Sequence, residues 1–172
     1  MRQNKTKQLY DYWMDLFWKA GNLAGSSIPP VWPQRSDVHP SDCRSLLGDM
    51  FILEVGTDGL TYRLAGTRLC ALYGHELKGE EFSGTFGGLD RDAATRWAAR
   101  AGKENYIAVM SSKAYDSASN CIDLETLLMP VACNGNRANR VLGLTVACDA
   151  PVTLGNRAVD NQTIKSVRTL RP

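Results

Sequence analysis

Tyr62-Arg-Leu-Ala-Gly-Thr-Arg-Leu-Cys-Ala-Leu-Tyr-Gly-His-Glu-Leu-Lys-Gly-Glu-Glu-Phe82 packs a strand end, a short helix and two turns into one passage. The alternating segment stops at Gly66, Thr67 can cap a helix, and Gly74 can close that helix after two turns. Leu77-Lys78-Gly79 supplies the second turn. Isolated helices need about 12–15 residues to be stable in water. This one must therefore lie on the strand before it, which is the nearest apolar surface.

Upstream, Met50–Val55 reads as a strand, and Thr57-Asp58-Gly59 as a tight turn into the strand Leu60–Ala65. Asp37–Leu47 predicts a short helix, with Pro40 in its first turn and Gly48 at its end. Residues 5–20 predict a longer, amphipathic helix. Leu9, Trp13, Leu16 and Ala20 share one stripe, Tyr12 and Phe17 widen it, and Gly21-Asn22 stops it. Residues 21–34, with the Gly, Ser and Pro of Gly25–Pro30, read as a connecting loop between the two helices.

Downstream, Asp90–Lys103 predicts a helix. Tyr106–Tyr115, Ile122–Cys133 and Val141–Cys148 predict three long strands, the last two joined as a hairpin by Asn134–Asn139. The apolar pattern is lost after Ala150. The expected organisation is an N-terminal helix and loop over 1–34, a domain over 35–150, and a flexible basic tail over 151–172.

Composition narrows the function classes. Of 172 residues, 44% are apolar, enough for a sizeable core. The net charge is +2, and the four basic residues after position 150 leave the body nearly neutral. That balance excludes the broad basic face of a nucleic-acid binder. No run of about 18 apolar residues predicts a membrane span, and the N-terminus lacks the apolar core of a secretory signal, so a cytoplasmic location is expected. Five cysteines without C-x-x-C spacing read as reduced, small apolar residues.

Three motifs in order, PQRSDVHPSD at 33–42, YRLAGTRLCALYGHELKG at 62–79 and ETLLMPVACNGNRANRVLG at 125–143, resemble a family of short bacterial single-PAS-domain regulatory proteins. The passage through Phe82 is similar to the first half of a PAS domain, and the likeness extends over about residues 8–148. The resemblance implies an α+β fold: a PAS-like five-stranded antiparallel sheet with helices packed on one face, preceded by the N-terminal amphipathic helix. It implies a sensory or regulatory role in signal transduction through protein partners, with a small apolar molecule as an optional ligand. A ligand-free docking adaptor and an enzyme acting on a small molecule are the alternatives.

In PAS domains ligands lie between sheet and helices. Phe51, Leu53, Tyr62, Leu64, Ile107, Val109, Leu128, Leu142 and Leu144 are the expected lining residues. No cofactor is expected. Cys43 precedes the first hairpin and follows Asp42, whereas the photoactive cysteine of flavin-binding relatives follows both the hairpin and an asparagine. His39 and His75 are the only histidines, and His75 falls in a turn, which argues against haem or a dedicated metal site. No Gly-x-Ser-x-Gly occurs, and Ser83 and Ser111 lack an identifiable base, so no catalytic residue is expected. Asp116, Asp123 and Glu125 read as a solvated edge or ion-pair partners, and Gly84–Gly88 as a flexible segment over the pocket mouth.

Arg35 and Asp37 are expected to pair. Arg68 is open to two readings, an anion site or a surface pair with Glu76 or Glu125. The Leu9, Trp13, Leu16 and Phe17 stripe predicts a homodimer interface. Ile164, Val167 and Leu170 at i, i+3 and i+6 predict a short induced helix against an acidic partner.

Overall fold

The computed structural model describes residues 1–23, 31–57, 59–104, 106–135, 137–148 and 158–171. The expected Gly25–Pro30 loop and the tail's first residues, 151–157, lie outside these. Among these described residues three α-helices, α1 (Asn4–Leu23), α2 (Thr67–Tyr73) and α3 (Gly88–Lys103), accompany six strands. The strands are β1 (Met50–Val55), β2 (Leu60–Ala65), β3 (Ile107–Tyr115), β4 (Cys121–Ala132), β5 (Ala138–Ala147) and β6 (Asn161–Leu170). All neighbours pair antiparallel in the order β2-β1-β5-β4-β3-β6.

The elements form for local reasons. Gly74 ends α2 because it sits at φ 74°, a left-handed position that a Cβ would strain. α1 has no acidic residue in its own first turn, and a carboxylate from the sheet stands at its N-terminal end instead. Glu125 of β4, itself buried, accepts Arg2 N at 2.8 Å and Gln3 N at 3.1 Å. A carboxylate at that end also complements the helix dipole.

The sheet is buried on both faces. Phe51, Leu53, Ala108, Met110, Leu124, Leu128 and Val141 face α2 and α3 in one core. Ile52, Ile107, Val109, Leu127, Met129, Leu142 and Leu144 face α1 in the other. Leu9 and Trp13 seal this second core at 0% exposure, and Trp13 Nε1 donates to the Pro130 carbonyl at 2.9 Å.

Four expectations change here. The sheet has six strands, because part of the expected flexible tail is strand: Asn161–Leu170 pairs along the whole of β3. The tail boundary at 151 therefore does not separate ordered from flexible chain, and the induced-helix reading of Ile164, Val167 and Leu170 gives way to an edge strand. Its apolar spacing reflects a bulge opposite Ser111/Ser112, which shifts the alternation. Asp37–Leu47 is not a helix; a 3-10 turn at Arg35–Asp37 is followed by a chain of turns.

Candidate functional site

The chamber between the sheet's inner face and α2–α3 is where this architecture places a pocket, and aromatic side chains occupy it. The Phe51 ring stacks on Phe82 at 5.9 Å between centroids and meets Tyr62 edge-on at 5.5 Å. Phe82 continues to Phe86 at 5.7 Å. Phe82 opens the 3-10 turn Phe82–Thr85 and Phe86 follows it, both buried, so the glycine-rich segment before α3 is an anchor rather than a loose cover. Gly143 lies directly under Phe51: a Cβ there would stand 2.2 Å from the ring. β5 thus carries no side chain where the aromatic cluster needs room.

At the β3–β6 end of the same chamber sits a polar cluster. Gln162 is 3% exposed and uses both ends of its amide. Its Nε2 donates to the Tyr73 hydroxyl at 3.0 Å and to Thr85 Oγ1 at 2.6 Å, while its Oε1 accepts from Ser112 Oγ at 3.1 Å. Four elements therefore meet through one side chain of β6. Burial raises the Tyr73 phenol to about 12 despite the hydrogen bonds from Thr85 and Gln162, which pull it down, so Tyr73 remains a neutral hydroxyl. Burial also pushes Tyr62 well above its ordinary value. On the inner face of β4 and β5, Thr126 and Thr145 hydroxyls pair at 2.9 Å.

A charged knot ties the two layers at the edge of β1. Asp49 accepts Lys5 Nζ of α1 at 2.7 Å, and Arg68 Nε and Nη2 of α2 at 2.8 Å each. Burial alone would raise its carboxyl, but the bonds from Arg68 and Lys5 outweigh that effect and hold it below the ordinary carboxylate range. Arg68 thus has neither of the roles considered for it: its partner is Asp49, and its guanidinium lies over Gly48. Asp37 accepts Gln34 N at 2.9 Å and forms no ion pair with Arg35.

The structure divides the expected lining residues. Phe51, Leu53, Tyr62 and Leu128 sit on the inner face. Ile107, Val109, Leu142 and Leu144 belong to the outer core beneath α1, so they cannot line an inner pocket. Leu64 is 46% exposed, because a bulge between Ile52 and Leu53 turns it to the outer side. The stripe expected to bind a second copy is seated on the chain's own sheet. Leu9 and Trp13 are wholly enclosed, Phe17 stacks on Trp13 at 5.4 Å, and Leu16 is half-buried. That burial removes the observation on which the interface rested. Sequence reasoning missed Asp49, Tyr73, Thr85, Ser112 and Gln162. The knot and the cluster draw on positions up to 89 apart, and no local spacing announces them.

His75 is exposed, with Nδ1 2.9 Å from the Tyr73 carbonyl. Cys43 is buried in the outer core, where burial raises its thiol. An open groove of about 430 Å³ is lined by Glu81, Ser83, Arg91, Asp92, Thr95 and Arg96, with two acidic against two basic groups. No group of three or more metal-ligating side chains occurs among the described residues.

Residues 1–146 match the family model described as PAS domain. The chain belongs to the PAS domain family. This PAS domain is a sensory signalling domain with an N-terminal helix and an α+β core of antiparallel sheet and helices. Its β6 lies beyond the matched residues. No curated protein matches it. Among solved structures it is similar to a Rhodobacter sphaeroides LOV protein, at 14% identity and TM-score 0.48, over 63% of this chain and 66% of that one. It is also similar to the PAS domain of an HTR-like protein from Haloarcula marismortui, at 17% identity and TM-score 0.45, over 62% of this chain and 89% of that one. An RNA-binding light-oxygen-voltage receptor matches at 16% identity and TM-score 0.48, over 72% of this chain and 35% of that one. No helix among the described residues is long and apolar enough to cross a membrane.

Proposed function

We propose that this PAS domain is a non-catalytic regulatory module of the cytoplasm that signals by contacting other proteins, with an interior packed by its own side chains. The observation that carries this reading is the seat of Phe51 on Gly143 within the Tyr62–Phe82–Phe86 cluster. A ligand pocket keeps a few polar groups aimed into free space. Here Gln162, Tyr73, Thr85 and Ser112 bond to one another. Among the described residues the one buried side-chain polar atom without a partner is Thr6 Oγ1, on α1 across the sheet.

Two further features support the reading. His75 directs Nδ1 to the Tyr73 carbonyl at 2.9 Å and so serves the backbone of its own turn. Cys43, Cys70, Cys121 and Cys133 are free thiols, as suits a reducing compartment. Native mass spectrometry of freshly purified protein tests the proposal. The expected result is the mass of the 18.9 kDa chain, or a multiple of it, without adduct. A retained small molecule released by acid would overturn the packed interior and favour a ligand-binding sensor.

A further inference from the structure

A sheet edge offers unpaired N–H and C=O groups to any extended chain, and folds cover such edges where contact is unwanted. The β2 edge is covered by residues 79–81: Tyr62 N donates to the Glu80 carbonyl at 2.9 Å and Gly79 N to the Tyr62 carbonyl at 2.8 Å. The first half of the β6 edge is covered as well. Phe86 bridges to Gln162, Ile164 N donates to Asp90 Oδ2 at 3.2 Å, and Gly87 presses on Asn161 so closely that a Cβ would stand 2.7 Å from its amide oxygen. Beyond Ile164 the strand bulges at Lys165, and residues 166–170 pair with β3 on one side only. Nothing among the described residues pairs with the other side.

This bare stretch is basic. Lys165, Arg168 and Arg171 are exposed. Lys165 is spent on Asp123 at 2.6 Å, and the Arg171 guanidinium lies 5.8 Å from the Tyr106 ring. Arg168 has no acidic partner among the described residues. The stretch keeps the hydrogen-bonding pattern of a strand because Val167 and Leu170 anchor it to the two cores.

We infer that the β6 edge from Lys165 to Leu170 is a docking strip for an extended acidic segment of a partner protein, which adds to the sheet as a seventh strand. The inference rests on the proposed action through protein contacts and names the partner's chemistry. Main-chain bonds hold such a strand, and carboxylates at alternate positions meet Arg168 and its basic neighbours. A second copy is disfavoured as occupant, since pairing β6 with itself brings two basic strands together.

The test uses the full chain and a fluorescein-labelled ten-residue peptide that alternates Glu with Val and Thr. Fluorescence anisotropy is expected to show saturable binding that weakens with salt, with amide shifts in heteronuclear NMR confined to residues 165–170 and their β3 partners. N-methylation of alternate peptide amides and the paired substitutions R168E/R171E are each expected to weaken binding by about tenfold or more. R168Q/R171Q provides a milder variant whose fold is checked by circular dichroism. Undetectable binding by folded protein, equal binding after N-methylation, or shifts located elsewhere overturns the inference. So does sedimentation showing β6 occupied by a second copy. A clean native mass combined with no peptide binding removes this inference and leaves the packed-interior reading standing; a retained ligand does the reverse.

Discussion

Replacing Trp13 by Ala separates two incompatible accounts of α1. In the structure the indole is at 0% exposure, stacked on Phe17, 6.1 Å from the Trp32 ring, and bonded to the Pro130 carbonyl. Emptying a site of this kind costs about 3–5 kcal/mol. Leaving the carbonyl buried and unpaired adds about 1–3 kcal/mol, less whatever a water in the cavity recovers. A net loss of about 4 kcal/mol is expected. In a chain of this size each kcal/mol shifts Tm by roughly 2–4 °C, so melting should fall by about 8–16 °C. Trp13→Phe keeps most of the packing, loses the N–H, and should cost about 1–2 kcal/mol by the same hydrogen-bond reasoning. Thermal melts followed by circular dichroism measure both, with sedimentation velocity on the same samples. A Trp13→Ala protein that melts within about 2 °C of the parent and sediments as a smaller species would refute the reasoning, because the stripe would then serve a partner and not the sheet.

Three more outcomes follow from the inner chamber and the charged knot. Gly143→Ala should cost about 1–3 kcal/mol, since the new methyl meets the enclosed Phe51 ring and overpacks the cluster; an unchanged urea midpoint would show free space beside that ring. Gln162→Leu strips the Tyr73, Thr85 and Ser112 hydroxyls of a shared partner and should cost about 2–3 kcal/mol. Hydrogen exchange of the 158–164 amides should then speed up by about 30-fold or more, and uniform slow exchange would contradict the cluster's role in holding β6. Asp49 has a folded pKa below its ordinary 3.8, so its contribution is present above that value and lost as pH falls through the depressed one. Asp49→Asn should therefore lower stability at pH 7 and flatten the loss below about pH 4; parallel acid limbs in the two proteins would assign that loss to other carboxylates.

Much of the architecture was legible because its signals are local. Gly66 and Gly74 frame α2, and the first hairpin and the three long strands have apolar runs between turn residues. Which face each strand residue takes was not legible. Leu127 and Leu128 are adjacent, both wholly buried, and belong to different cores. Hydropathy cannot rank two neighbours that are equally enclosed, so Ile107, Val109, Leu142 and Leu144 fall on the side opposite to the one expected. Leu64 was misplaced by a bulge, and β6 was hidden by another. The Asp49 knot and the Gln162 cluster join residues distant in sequence, and polar side chains with such partners look like ordinary surface residues until the fold exists.

The two-sided burial changes what holds the strands in register. In a sheet with one wet face, a slip of one residue puts the apolar set into water. Here a slip of β4 or β5 would exchange one enclosed face for another, and hydrophobicity would barely object. The objections come from a handful of exceptions. Glu125 must meet the amides at the start of α1, Thr126 must find Thr145, the Pro130 carbonyl must lie under Trp13, and Gly143 must pass beneath Phe51. These four act as alignment pins in an otherwise greasy stack. Removing two of them together should yield a protein that stays compact and strand-rich but no longer chooses a single pairing.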